Sequence, residues 1–361
     1  MKTYFPNLNA IRCIAVFLVI VMHIEGYKNF FHLPNCSELP MFKIMGQLGV
    51  VLFFVLSGFL ITTLLLNEKD KFGKISYRDF YMRRILRIWP VYFLILFLGF
   101  FVFPHFYYWS IPSPMFPVIS ENFWIKLLLY VIILPNLSVA IFREVPMVSQ
   151  TWSLGTEEQF YVLWPLFINK CRKFLILAMF FIIIFYIGIN LILSKLSSLS
   201  TFWQILSNFW SLFNIDCMAI GGIFSVINYD GHHKISRLLF RRIIFFPVVF
   251  ITVVCLVSGV RFGFLHFEVY AFLFGIIIFN LACNEKYNKL LEFKIPHYLG
   301  SISYGMYMYH LIALQIGIQC SIYLNNTIVV YLITIPLTII FSAISYEYFE
   351  KYFLKFKRSH V

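Results

Sequence analysis

The chain alternates long apolar runs with short, mostly basic breaks, and the runs have the length of membrane crossings rather than of core helices. Runs close to the roughly 20 residues needed to cross a bilayer lie at 8–27, 45–66, 88–104, 174–194, 206–227, 243–258, 265–283, 298–320 and 328–348. Two further stretches read either way. Residues 123–142 are apolar but broken by Lys126, Pro135 and Asn136, and residues 152–169 carry Glu157 and Glu158 near their start. Lysine and arginine decide between them, because the cytoplasmic segments of membrane proteins collect these residues. If 152–169 spans, 123–142 does not and the N-terminus is cytoplasmic, the inner segments gather Lys2; Lys69, Lys71, Lys74, Arg78, Arg83, Arg84 and Arg87; Lys170, Arg172 and Lys173; Lys234, Arg237, Arg241 and Arg242; Lys286, Lys289 and Lys294; and Lys351, Lys355, Lys357 and Arg358. The outer segments keep only Lys28, Lys43, Lys126, Arg143, Lys195 and Arg261. The pattern predicts an all-α polytopic membrane protein of ten spanning helices with both termini cytoplasmic. It adds a long outer segment at 105–151 with an interfacial or re-entrant piece near 123–142. No internal repeat or appended soluble stretch is visible, so 1–361 reads as a single membrane domain.

Composition supports this and removes other classes. With 61% hydrophobic and 12% charged residues in 361, the chain is not a soluble one. Aromatic residues at 20% suit lipid-facing and interfacial surfaces. The net charge of +13 is spread between the apolar runs rather than gathered in a block, which topology explains better than nucleic acid does. The seven cysteines are scattered and form no CxxC pair, so neither a disulfide framework nor a metal site is expected. The first run has only a weak basic flank and no small-residue cleavage pattern, and reads as a retained helix rather than a signal peptide.

That first run carries two costly side chains, Arg12 and His23. At about 100° per residue their spacing closes to within about 20° of whole turns, so both lie on one helix face about 16 Å apart. Ionisable groups inside a bilayer mark function by default, although a snorkelling arginine and a hydrogen-bonded histidine would also fit. With the N-terminus inside, His23 lies towards the outer face, and Glu157 and Glu158 of WSLGTEEQFYVLWPLF enter from outside to a similar depth. A carboxylate beside an imidazole orients the ring and stabilises its charged form; the alternative is that both glutamates cap a helix start behind Ser153 or Thr156. At the inner mouth of the third span, Arg83 and Arg87 share a face and Arg84 and Arg87 are neighbours. Converging guanidiniums suit phosphate oxygens, and plain positive-inside anchoring is the other reading. In LGSISYGMYMYHLI, Tyr304, Tyr307 and His310 form a polar, hence inward-facing, stripe. Trp152, Ser153, Glu158, Tyr307 and His310 are candidates for lining a substrate pocket. His232 and His233 beside Asp230 read as a solvated inner loop. A buried Arg, His and Glu in ten helices would also describe a proton-coupled transporter or a lipid-linked sugar flippase, but paired broken helices in two halves are not found.

Five segments, NLNAIRCIAVFLVIVMH, LGVVLFFVLSGFLITTLLL, RRILRIWPVYF, WSLGTEEQFYVLWPLF and LGSISYGMYMYH, resemble in order the signature segments of the integral-membrane acyltransferase 3 family, over residues 5–350. These are bacterial enzymes such as O-antigen and exopolysaccharide O-acetyltransferases. The resemblance implies a cytoplasmic (inner) membrane enzyme that moves an acyl group, in the first instance acetyl, from cytoplasmic acyl-CoA to a hydroxyl of a carbohydrate or glycolipid at the outer face. It implies acetyl-CoA as donor substrate, the lipid bilayer and a carbohydrate acceptor as partners, and no metal. The family's Arg-x10-His maps onto Arg12 and His23, its RxxR onto Arg84 and Arg87, and its WSLxxE glutamate onto Glu157. His23 and Glu157 are therefore the expected catalytic residues, with Arg12, Arg83, Arg84 and Arg87 on the donor. Val51 stands where many members have an acidic residue, and Tyr352 where many have proline. Many relatives carry a further hydrolase-like domain, so a second transfer step would fall to a separate protein.

Overall fold

The computed structural model describes residues 5–112 and 121–356, and all regular elements among them are helical. The chain runs through α1 (Leu8–Phe30), α2 (Phe42–Phe72) and α3 (Tyr77–Phe97), then the short α4 (Phe123–Val131) and α5 (Pro135–Phe142). It continues with α6 (Thr151–Cys171), α7 (Leu175–Leu196), α8 (Thr201–Phe213), α9 (Ile215–Tyr229), α10 (His233–Leu239), α11 (Arg242–Val257) and α12 (His266–Cys283). The last elements are α13 (Lys294–Ser301), α14 (Ser303–Leu324), α15 (Ile328–Ile344) and α16 (Lys351–Leu354). Residues 113–120 of the expected outer segment, and Lys2, Lys357 and Arg358, lie outside the described residues.

Among the described residues, seven helical runs are long and apolar enough to cross a membrane, eight if α10 and α11, bent by 58°, count as one. One of the seven, Thr151–Leu196, has 46 residues. At 1.5 Å per residue that is about 69 Å, enough for two crossings of a core of about 30 Å. By contrast α14, with 22 residues, is long enough but is not among the seven, because His310, Gln315 and Gln319 dilute its apolarity. The 123–142 stretch is two helices of nine and eight residues, each too short to cross.

Local chemistry sets several boundaries. Ser76 caps α3, accepting from the Asp79 amide and donating to its carboxylate at 2.6 Å. Gly73, at φ 71°, closes α2 in the left-handed conformation that glycine adopts without strain.

The chain divides into two compact units. The first is Met1–Val19, Glu38–Ile75 and Gln159–Ser301. In it α2 packs along α9, which also meets α7 and α12. The approach is close because a side chain at Gly58 would collide with the Met218 carbonyl, and one at Gly221 with the Val55 carbonyl. Buried polar groups are paired across helices, with Trp164 Nε1 donating to Thr62 at 2.8 Å and Thr63 bonded to Ser225 at 2.7 Å.

The second unit is Ile20–Ser37, Ser76–Glu158 and Ile302–Val361. Here α14 packs along α15, and α3 meets α14 and α16. The start of α5 is seated on the start of α6, where Gly155 leaves room for the Pro135 ring.

Candidate functional site

The second unit brings most of the expected residues together. His23 lies two-thirds of the way along α1 and stays part-exposed, whereas His310 on α14 is fully buried. The rings meet at a centroid distance of 4.9 Å, with His23 Nδ1 3.0 Å from His310 Nε2. On its other side, His310 Nδ1 is 2.7 Å from the Tyr307 carbonyl oxygen. A carbonyl only accepts, so His310 Nδ1 carries the proton and its Nε2, in the neutral ring, holds the lone pair. His23 Nδ1 must then donate to that lone pair. In neutral His23 this leaves the basic lone pair on Nε2, so one backbone carbonyl sets the tautomers of two rings in series.

Tyr307 joins this pair to α6. Its hydroxyl lies 2.7 Å from Ser153 Oγ and donates to the Gln150 carbonyl at 3.1 Å. Gln150 Nε2 returns a bond to the Met308 carbonyl at 2.9 Å, so α14 and the start of α6 are laced in register. Trp152 is part-buried beside them.

Glu157 and Glu158 lie two turns inside α6, whose first turn holds no acidic residue, so neither is a helix cap. Glu157 is part-exposed and acts electrostatically on Tyr307 and on Glu158. Glu158 is buried and accepts from Trp89 Nε1 at 3.5 Å, within the field of the Arg84 guanidinium. Arg84 also stands over the Phe80 ring at 5.7 Å, and Arg87 acts on buried Glu350. The arginine cluster is thus offset by two carboxylates from other helices. Arg83 is part-exposed on the same helix.

Arg12 belongs to the first unit, where it donates to Asn9 Oδ1 at 3.1 Å. It sits on the same unbroken helix as His23, with the spacing read from the sequence. His232 and His233 are exposed, and among the described residues no three His, Cys, Asp or Glu side chains converge as metal ligands.

Four residues of the network escape sequence reasoning: Trp89, Glu144, Gln150 and Glu350. Trp89 and Gln150 stand inside or beside recognisable segments, and a search for polar atoms near the arginine and WSL motifs would reach them. Glu144 and Glu350 carry no local signal, because only folding brings them near Tyr307 and Arg87.

A family model described as an acyltransferase domain matches residues 5–347. A Staphylococcus aureus (strain COL) protein named "Putative O-acetyltransferase" is 26% identical over 399 residues, covering 98% of this chain and 58% of that protein. The peptidoglycan O-acetyltransferase OatA of Listeria monocytogenes is 29% identical over 168 residues, covering 46% of this chain and 24% of OatA. The chain therefore spans less than two thirds of the length of either relative. No solved structure matches.

Proposed function

This chain belongs to the acyltransferase 3 family, and from that premise we propose that it transfers an acyl group, acetyl in the first instance, from cytoplasmic acyl-CoA to a carbohydrate hydroxyl at the outer face of the cytoplasmic membrane. The names of the relatives support O-acetylation and a cell-wall glycan acceptor. In this reading ten helices span, α6 and α7 separately, both termini are cytoplasmic, and α4 and α5 rest on the outer side. The distribution of lysine and arginine supports that orientation.

The single observation that carries the mechanism is the His23–His310–Tyr307 series, 3.0 and 2.7 Å between its members. A sugar hydroxyl is a weak nucleophile until its proton is removed, and an imidazole with an ordinary pKa of about 6.5 suits that task at neutral pH. His23 Nε2 takes the proton as the hydroxyl oxygen forms its bond to the thioester carbonyl. The carbon–sulfur bond then breaks, and the imidazolium returns the proton to the departing CoA sulfur. His310, neutral and accepting at His23 Nδ1, keeps the ring in the reactive tautomer, and so takes the orienting role the sequence offered to a carboxylate. A carboxylate at Glu157 would favour the imidazolium while it exists. The CoA phosphates would rest on Arg84 and Arg87 with Arg83 adjacent, and Arg12 would guide the pantetheine arm.

The test is ester-linked acetate on surface glycan in cells lacking the protein and complemented by variants. His23→Ala is expected to lower acetate by about 10²–10⁴-fold, the usual worth of a general base. His310→Ala is expected to fall with it, whereas His310→Gln, which still offers an oxygen to His23 Nδ1, regains part of the rate. Undiminished acetate with His23→Ala would sink the assignment.

A further inference from the structure

Between α5 and α6 the chain makes a turn, residues 143–150, that the mechanism above does not use. Its backbone is strained: Arg143 at φ 66° and Met147 at φ 62° both occupy the left-handed region that non-glycine residues avoid. The strain brackets Glu144. Its carboxyl is hydrogen-bonded by the Ser149 hydroxyl and acts on the phenols of Tyr27, Tyr130 and Tyr307. Those three phenols come from α1, α4 and α14, and Glu144 itself is half-buried. Enclosure pushes its carboxyl above the ordinary carboxylate range, with Ser149 pulling the other way. Such a group is stabilised by any hydroxyl that donates to it.

A second acceptor stands nearby in the same turn. Gln150 is 2% exposed and spends its amide hydrogens on the Met147 and Met308 carbonyls, at 3.2 and 2.9 Å. Its Oε1 is buried with no hydrogen-bond partner. A buried orphan acceptor costs about 1–3 kcal/mol, and a ligand hydroxyl would recover it. Both acceptors connect to the transfer site through Tyr307, whose hydroxyl bonds the Gln150 carbonyl and whose ring is 5.8 Å from that of His310.

We propose that Glu144 and Gln150 form the acceptor subsite, each taking a hydrogen bond from a hydroxyl of a polyhydroxylated sugar. The inference rests on the O-acyltransferase reading above. The chemistry favours a polyol because the turn offers two side-chain acceptors six positions apart, each of which a hydroxyl donor satisfies. Neighbouring hydroxyls on one sugar ring supply several donors at once, whereas a simple alcohol supplies one.

The test uses the full chain in lipid nanodiscs with acetyl-CoA and a soluble N-acetylglucosamine–N-acetylmuramic acid oligomer, reading ester formation and release of the CoA thiol. Glu144→Ala and Gln150→Leu are expected to raise the KM for the oligomer about tenfold each, the worth of one lost hydrogen bond. The KM for acetyl-CoA should stay within about twofold, since neither residue is placed on the donor. Glu144→Gln, which keeps an acceptor oxygen, should fall between. An unchanged oligomer KM in both variants, or a donor KM raised equally, overturns the subsite and leaves the acyltransferase reading standing. Failure of the wild-type chain to acetylate the oligomer overturns the peptidoglycan-type acceptor and the subsite fitted to it, and failure to consume acetyl-CoA with any glycan refutes the function itself.

Discussion

At the scale of residues, the proposed chemistry depends on which nitrogen of His23 carries its proton. That choice is imposed by the Tyr307 carbonyl through His310, a chain of one backbone group and two rings. His310 is fully buried while His23 is part-exposed, so the ring proposed to orient is shielded and the ring proposed to react remains reachable. The arginines face the opposite demand, because Arg84 and Arg87 already lie in the fields of Glu158 and Glu350. Removing their charge would strand those carboxylates in an apolar setting. Replacing both by lysine keeps the charge and removes the forked donor geometry that matches phosphate. Arg84→Lys with Arg87→Lys is therefore expected to raise the KM for acetyl-CoA about tenfold or more without changing the acceptor KM or protein yield. An unaltered donor KM in steady-state kinetics would refute the phosphate-binding role.

At the scale of elements, α6 does the positioning. Its first turns bond Tyr307 through Ser153, its next carry Glu157 and Glu158, and Gly155 between them lets α5 close in. A Cβ at residue 155 would lie 2.7 Å from the Pro135 ring, closer than real contacts allow. Gly155→Val thus forces α5 away from α6, at a cost of about 1–3 kcal/mol typical of overpacking. The expected outcome is faster proteolytic cleavage within residues 121–150 and lower acetyl transfer; a cleavage pattern identical to wild type would show that the contact does not hold the segment. This packing was not legible beforehand. The sequence shows an apolar stretch with Pro135 and Asn136, enough to deny it a span, but not which helix it would rest on. The expectation that 152–169 is helical matches an α6 that starts at Thr151, and that start leaves Glu157 and Glu158 too far inside the helix to cap it. By contrast Glu350 joins the arginines only through a wide turn at 345–350 following α15, which no local spacing announces.

At the scale of the whole molecule, the proposed vectorial chemistry depends on orientation. Cys36 is exposed on the connection between α1 and α2, which the proposed orientation puts outside. In a chain whose other cysteines are replaced by serine, a membrane-impermeant maleimide is expected to label Cys36 in intact cells. Labelling only after permeabilisation would invert the topology and move His23 to the wrong side for an outer acceptor. The two compact units also divide the candidate residues unevenly. Arg12 belongs to the first, and His23, Glu157, Arg84, Arg87, Tyr307 and His310 to the second.

By itself the sequence determined the class of molecule, most of its helices and the side chains that a bilayer would not tolerate idly. These are local properties: apolarity over about 20 residues, helical spacing and charge at the ends of spans are all written in neighbouring positions. Tertiary structure alone decided the partners. His310 lies 287 positions from His23 along the chain, and the Glu144 carboxyl acts electrostatically on phenols from three helices. Hydrogen bonds and fields act over a few ångströms whatever the sequence separation. Which imidazole orients which, and where an acceptor hydroxyl would be gripped, therefore exist only once the helices are packed.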